Sequence, residues 1–308
     1  MAFDRVWHEG LIYKLSKMLP MQYTDILTSY ITDRTFRVKH QNEYSDITDI
    51  KAGVPQGSVL APILYLLYTS DIPVTPEVTT AAFADDTALL ATGNDPVIST
   101  TKIQLATNKL IKWTKRWKIK LNQLKSSHIN FTNRRVMNPP NLEINGAIVP
   151  YENNAKYLGM NLDAKLRWKH HIKMKRAELN IRYRKYYWLL GRHSKLSIRN
   201  KILIYNQILK PVWLYGCQLW GCAKDSNIRI IQRFQNKVLR SIVNAPWYVR
   251  NKDIHRDLKV PLVADEIRTM AARHHDRLQH HPNAEALQLL DNQQLVRRLK
   301  RIKPFELV

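Results

Sequence analysis

Asp85 and Asp86 stand side by side in Thr79-Thr80-Ala81-Ala82-Phe83-Ala84-Asp85-Asp86-Thr87-Ala88-Leu89-Leu90-Ala91-Thr92. Adjacent carboxylates repel, so the pair needs either open water or a counter-charge. Water would make it a solvated turn. A hard cation would make it a reaction centre: Mg²⁺ takes oxygen ligands, usually one or two carboxylates, and substrate phosphates complete its shell. Paired metals of this kind stabilise the attacking and leaving oxygens of a phosphoryl displacement. In either case the acids belong at the tip of a hairpin, and the short apolar runs around them read as its strands.

A second stretch has the chemistry to meet a nucleotide. Ala52-Gly53-Val54-Pro55-Gln56-Gly57-Ser58-Val59-Leu60-Ala61-Pro62 is a stiff loop feeding an apolar helix over 63–70. Gly57 lets the backbone approach a ligand, and the helix start offers unpaired N–H groups to phosphate. Gln56 can donate and accept hydrogen bonds to a base or sugar. A Gly/Pro loop before a buried helix is also, by itself, only a loop.

Other elements must position these stretches. Residues 2–20 read as a helix with Trp7, Leu11, Leu15 and Leu19 on one face and Pro20 ending it; 21–31 read as a second. Residues 34–50 alternate and read as strands around a polar turn near Asn42. After the break at Gly93-Asn94-Asp95-Pro96, residues 97–118 give a long amphipathic helix, whose Trp113 and Trp117 read as core rather than as base-stacking groups. A strand is expected over 127–132, a hairpin turning at Asn145-Gly146, and a further strand over 156–162 in which Gly159 allows close backbone approach. From Lys165 the pattern is helical: 202–221 read as a buried connection, and 227–243, 261–281 and 283–301 as further helices. His274, His275, His280 and His281 read as surface residues, because no cysteine or spaced acid accompanies them.

Charge narrows the function. Forty-nine Lys and Arg against 25 Asp and Glu leave +24 on 308 residues, which calls for a polyanionic partner. Nucleic acid is the first candidate and an anionic membrane surface the second. Ten cations and no acid lie between Lys102 and Arg135; fourteen cations and one acid, Glu178, lie between Lys165 and Lys210, interleaved with Tyr183, Tyr186, Tyr187 and Trp188. That second segment fits a nucleic-acid backbone. With 44% hydrophobic residues, one large or two medium cores are expected. No apolar run is long enough to span a bilayer, and the N-terminus has no signal-peptide pattern. Cys217 and Cys222 make neither a disulfide framework nor a zinc set, so an intracellular, cytoplasmic or nuclear location with no disulfide partner is expected.

Taken together, these motifs resemble those of reverse transcriptases. Phe83-Ala84-Asp85-Asp86 is similar to the F/Y-x-D-D metal motif, and Gly53–Pro62 to the template- and nucleotide-contacting loop. Asn122-Gln123-Leu124-Lys125-Ser126 resembles the later palm motif whose Lys lies near the triphosphate. Tyr157-Leu158-Gly159-Met160-Asn161-Leu162-Asp163 resembles the primer-grip hairpin. Ala2-Phe3-Asp4-Arg5-Val6-Trp7-His8-Glu9-Gly10-Leu11 resembles the end of the first palm motif. The run Leu209-Lys210-Pro211-Val212-Trp213-Leu214-Tyr215-Gly216-Cys217-Gln218-Leu219-Trp220-Gly221 points to non-LTR retrotransposon polymerases of the jockey type, rather than to maturase-like or telomerase-like proteins.

The resemblance implies an α/β (α+β) polymerase palm with a small antiparallel sheet backed by helices over 1–164, an all-helical basic thumb over 165–225 and a helical C-terminal region over 226–308. It implies an RNA template, a DNA primer, dNTPs, and Mg²⁺ (or Mn²⁺ in its place). Asp85 and Asp86 would hold metal. Phe3, Pro55, Gln56, Gly57 and Ser58 would contact nucleotide or template, with Phe3 as the aromatic gate against a 2′-hydroxyl. Lys125 would serve the leaving pyrophosphate, and Tyr157, Leu158 and Gly159 the primer end. Lys173, Lys175, Arg176, Arg182, Arg184 and Lys185 would grip the nucleic-acid backbone. The family's first motif reads D-x-x-x-A-F-D, and its metal-binding Asp would precede residue 1; Asp4 is not given to metal. The fingers segment is likewise not matched. The expectation is therefore impaired polymerase activity, with a catalytically silent nucleic-acid-binding remnant as the alternative.

Overall fold

The computed structural model describes residues 2–133, 140–287, 290 and 304–307. It divides into two compact units. One holds the described residues up to Asn130 and those leading to Glu152; the other holds Phe131–Asn133 and those from Asn153 onward.

The first unit is built on helices α1 (His8–Met18), α2 (Met21–Ile31) and α3 (Ala61–Thr69). Leu11, Leu15, Ile31, Leu64 and Tyr68 close its core. Between α2 and α3 run four two-residue strands, β1 (Thr35–Phe36), β2 (Lys39–His40), β3 (Glu43–Tyr44) and β4 (Thr48–Asp49), paired β1–β4 and β2–β3. β5 (Val78–Phe83) and β6 (Asp86–Ala91) form the acidic hairpin. Helix α4 (Pro96–Arg116) starts where Asp95 accepts the Val97 N–H at 2.7 Å, with Pro96 supplying a fixed φ at the first position. It covers a hairpin of β7 (Leu142–Ile144) and β8 (Ala147–Val149), whose Asn145-Gly146 turn has positive φ at both residues.

Lys14 ties this core together. Its ammonium donates to the Tyr68 carbonyl at the end of α3, pairs with Asp71, and lies 3.7 Å from the Trp117 ring centroid. Burial lowers its pKa, and the hydrogen bond and charge of Asp71 push back. Lys14→Met keeps the stem but removes this donor from a buried carbonyl. A loss of about 1–3 kcal/mol in a urea titration is expected, and an unmoved midpoint would show that the ammonium contributes nothing.

The second unit opens with β9 (Asn154–Tyr157) and β10 (Met160–Asp163). The Asp163 carboxylate accepts the N–H groups of Arg167 at 2.9 Å and Trp168 at 2.8 Å, so the strand's last residue organises the start of α5 (Lys169–Lys185). Then follow α6 (Tyr187–Leu190), α7 (Ile198–Ile204), α8 (Lys210–Leu214), α9 (Cys217–Trp220), α10 (Asp225–Val243), α11 (Asn251–Asp257), α12 (Val263–Gln279) and α13 (Ala284–Leu287). A π-helical turn, Tyr205–Leu209, joins α7 to α8. Pro211 has no N–H to give the regular ladder there. One core containing Leu179, Tyr205, Trp213, Phe234 and Leu239 runs through α5, α8 and α10.

Several expectations are corrected. The first helix starts at His8: Val6 and Trp7 are extended and only Phe3–Arg5 make a 3₁₀ turn. Residues 127–132 form no strand; His128 makes a single bridge to Tyr151. Residues 156–162 are two strands, because Leu158 (φ 45°) and Gly159 (φ 75°) reverse the chain. Among the described residues the antiparallel pairing falls into five two-stranded ladders instead of one small sheet. Seven of the twelve residues of β5 and β6 are Thr or Ala, and Val78 alone of the twelve is buried. Trp113 and Trp117 do pack into the first core. Arg134, Arg135 and most of the helix expected over 283–301 lie outside the described residues.

Candidate active site

The N-terminal stretch and the Gly/Pro loop are stitched backbone to backbone. Gly53 N–H donates to the Val6 carbonyl at 2.8 Å, and Val54 N–H to the Phe3 carbonyl at 2.9 Å. Gly53 has φ 99°, and a Cβ on it would stand 2.8 Å from Asp4 Cα, so no other residue fits there. Its carbonyl accepts from Arg34 and faces His8 Nε2, both at 2.8 Å. The loop beyond it is open: Gln56 and Gly57 are exposed, Gly57 has φ 90°, and no heavy atom lies within 4 Å of the position its Cβ would take. Ser58 Oγ accepts the Ala61 N–H at 3.1 Å, which fixes the loop to the start of α3.

Tyr65, on α3, links this loop region to the acids. Its ring stacks on Phe3 with centroids 4.7 Å apart. Burial raises its phenol pKa, and the negative charge of Asp85 raises it further. Tyr65 was not among the expected site residues. Its signal was available, since Tyr65 and Tyr68 are the polar-tipped side chains of an otherwise apolar helix.

The hairpin turn itself is Ala84-Asp85, and Asp86 already belongs to β6, opposite Phe83. Ala84 has φ 50°, a left-handed conformation that costs an alanine strain. Both carboxylates are exposed, and neither has a hydrogen bond or ion pair among the described residues. Two unencumbered oxygen donors fit a hard cation that draws its remaining ligands from water and phosphate. Among the described residues no third His, Cys, Asp or Glu joins them.

Of the remaining expected residues, Lys125 is exposed on the turn Gln123–Lys125, which Gln123 pins to the Ile144 carbonyl at 2.8 Å. Tyr157, Leu158 and Gly159 form the β9–β10 reversal in the second unit. Tyr215 Oη donates to the Leu158 carbonyl at 2.8 Å, and its ring would lie 3.3 Å from a Cβ on Gly159. On α5, Lys173, Arg182, Arg184 and Lys185 are exposed, whereas Lys175 and Arg176 are half-buried. Glu178 pairs with Lys175 at 3.3 Å and Arg182 at 2.8 Å, so two of the six cations are partly neutralised. Cys217 is buried and Cys222 Sγ donates to the Leu219 carbonyl at 3.0 Å, and no described helix is long and apolar enough to cross a membrane.

Comparison with known proteins gives these positions a context. Residues 1–162 match the family described as Reverse transcriptase (RNA-dependent DNA polymerase). The whole chain is 44% identical to the probable RNA-directed DNA polymerase from transposon X-element of Drosophila melanogaster, covering 34% of that protein. It is 38% identical, over 99% of its length, to the RNA-directed DNA polymerase from mobile element jockey of the same fly, covering 35% of it. The probable polymerase from transposon BS is 39% identical over 97% of the chain. The chain thus spans about a third of the length of these relatives. The family match extends over both the hairpin acids and the loop joined to Phe3, and the chain belongs to the reverse transcriptase family.

Proposed function

We propose that this chain is the palm and adjoining helical part of an RNA-directed DNA polymerase, with a palm role for residues 1–164, a thumb role for 165–225 and a C-terminal helical region over 226–308. The observation that supports this best is Tyr65, whose ring packs on Phe3 with centroids 4.7 Å apart and whose phenol is affected by the charge of Asp85. Asp85 and Asp86 hold the divalent ion, Mg²⁺ or Mn²⁺. When bound, that ion acidifies the primer 3′-hydroxyl and neutralises charge on the phosphates. Pro55, Gln56, Gly57 and Ser58 present backbone and amide groups to nucleotide and template. Phe3, held against Tyr65, stands where a 2′-hydroxyl would collide. Lys125 offers its ammonium to the departing pyrophosphate. The Tyr157–Gly159 reversal holds the primer end, and the α5 cations grip the phosphate backbone. An intracellular site of action goes with this reading.

One observation favours a second reading, that of a nucleic-acid-binding remnant without chemistry: two carboxylates alone gather at the hairpin among the described residues. Primer extension on poly(rA)/oligo(dT) with dTTP, in the protein that carries this chain, separates the two. Incorporation that requires Mg²⁺ or Mn²⁺ is expected, with hybrid binding that weakens steeply as salt rises. Salt-sensitive binding with no incorporation at any concentration of either ion would leave the remnant reading standing.

A further inference from the structure

Helix α10 was not among the expected contacts, yet it carries a regular row of cations. Arg233, Lys237 and Arg240 recur at four- and three-residue spacing, so they share the face opposite the buried Ile231, Val238 and Ile242. Helix α5 lies alongside and contributes Arg176 and Arg184. The two helices hold each other's cations over aromatic rings: Arg176 lies 4.6 Å from the Phe234 centroid, and Lys237 Nζ 5.7 Å from that of Tyr183. Two open hollows of about 470 and 360 Å³ result, and Lys237 lines both. The rest of their lining is Arg, Asn and Tyr side chains, with no acid. Arg184, Arg233 and Lys237 have no carboxylate partner among the described residues.

The end of this channel carries aromatics. Arg240 donates to the Val249 carbonyl at 2.6 Å, to Asn251 Oδ1 at 3.2 Å and to the Pro246 carbonyl, pinning the 246–251 loop to the wall of the larger hollow. That loop presents Trp247 at 90% exposure and Tyr248 at 68%, their ring centroids 5.9 Å apart. A tethered loop displaying a bare indole has a surface still to be covered.

We propose that α5, α10 and the 246–251 loop form a groove for single-stranded nucleic acid, with the cations along its phosphates and Trp247 and Tyr248 against unpaired bases. A duplex hides its base faces, so only an unstacked strand can use the aromatics and the cations together. An anionic membrane would also attract Lys and Trp, but a flat headgroup layer fits poorly into two hollows lined by amides. The inference deepens the polymerase reading and rests on it for the identity of the strand, an unpaired template or displaced end.

The test is fluorescence anisotropy with a labelled oligo(rU) and with a blunt duplex. Trp247→Ala should weaken single-strand binding by about 5- to 100-fold, with duplex binding changed less than about twofold. Arg233→Ala with Lys237→Ala should lower the single-strand salt slope by about 1.4. All three side chains are exposed, so unchanged melting would show that folding is intact. Unchanged oligo(rU) affinity in Trp247→Ala, or equal loss on the blunt duplex, would overturn the groove. So would phosphatidylserine vesicle binding that Trp247→Ala abolishes while oligo(rU) binding persists. Asp85-dependent extension surviving such a failure would show that the groove fell and the polymerase reading did not.

Discussion

Asp85→Asn lowers metal-dependent primer extension by about a thousandfold, while affinity for the RNA–DNA hybrid stays within a few-fold. A carboxylate-held metal supplies several kcal/mol of charge stabilisation, and each 1.36 kcal/mol is tenfold in rate. The amide keeps the shape of Asp85 but loses the anionic oxygen a hard cation selects. The substitution is a clean one, because the Asp85 side chain is exposed and makes no hydrogen bond or ion pair among the described residues. A drop in extension therefore reports chemistry rather than unfolding. Asp86→Asn should cost less, since Asp86 sits back in β6 and under the proposed reading only supports the metal that Asp85 holds. Extension within tenfold of the unaltered protein for Asp85→Asn would remove Asp85 from the reaction.

The second large effect is on stability in acid. His171 is fully buried, its ring enclosed by Trp168 and Trp220 with centroids 6.0 and 6.3 Å away. Nδ1 accepts the Asn161 N–H at 3.2 Å, and Nε2 has no partner among the described residues. Burial above all, then the positive charges of Lys175 and His170, push its pKa down to about 4. An unfolded histidine titrates near 6.5. Between those values the unfolded chain takes up a proton that the folded chain refuses. The neutral ring's contribution is thus complete above about pH 6.5 and is lost as pH falls toward 4, by on the order of 3 kcal/mol. His171→Gln keeps an acceptor for Asn161 and cannot titrate. Urea midpoints followed by tryptophan fluorescence should fall more steeply with acid in the unaltered protein than in the variant; parallel curves would assign the acid sensitivity to other groups.

Much of this was legible in the residues. Asn145-Gly146 announced its hairpin because both turn positions need positive φ, and the apolar periodicity after Pro96 announced α4, although Asp95 and Pro96 themselves read only as a break and prove to be its cap and first residue. What failed to show were features set by partners distant in sequence. The 3₁₀ turn at Phe3–Arg5 depends on hydrogen bonds to Gly53 and Val54, which no local pattern encodes. Leu158 has no turn propensity of its own; it reverses the chain because Tyr215, 57 residues on, accepts the geometry and bonds its carbonyl. The expected strand over 127–132 had the right apolar spacing, but its backbone splits between partners: His128 bridges Tyr151, while the Thr132 N–H donates to the Ala164 carbonyl at 3.0 Å. The acidic hairpin, the loop and the basic helices were readable as elements. Tyr65, which packs on Phe3, showed only as a polar-tipped ring in an otherwise apolar run, and its partner could not be read from that run.

Ala84 carries a consequence for how this hairpin can change over generations. Its side chain is a single exposed methyl, yet its torsion is one that most residues avoid. Tolerance at this position is governed by backbone geometry rather than by neighbours: glycine or asparagine would enter easily, and β-branched residues would be purged. Glycine would also let the tip wander, so the alanine trades ease of folding for a fixed bearing of the next two residues.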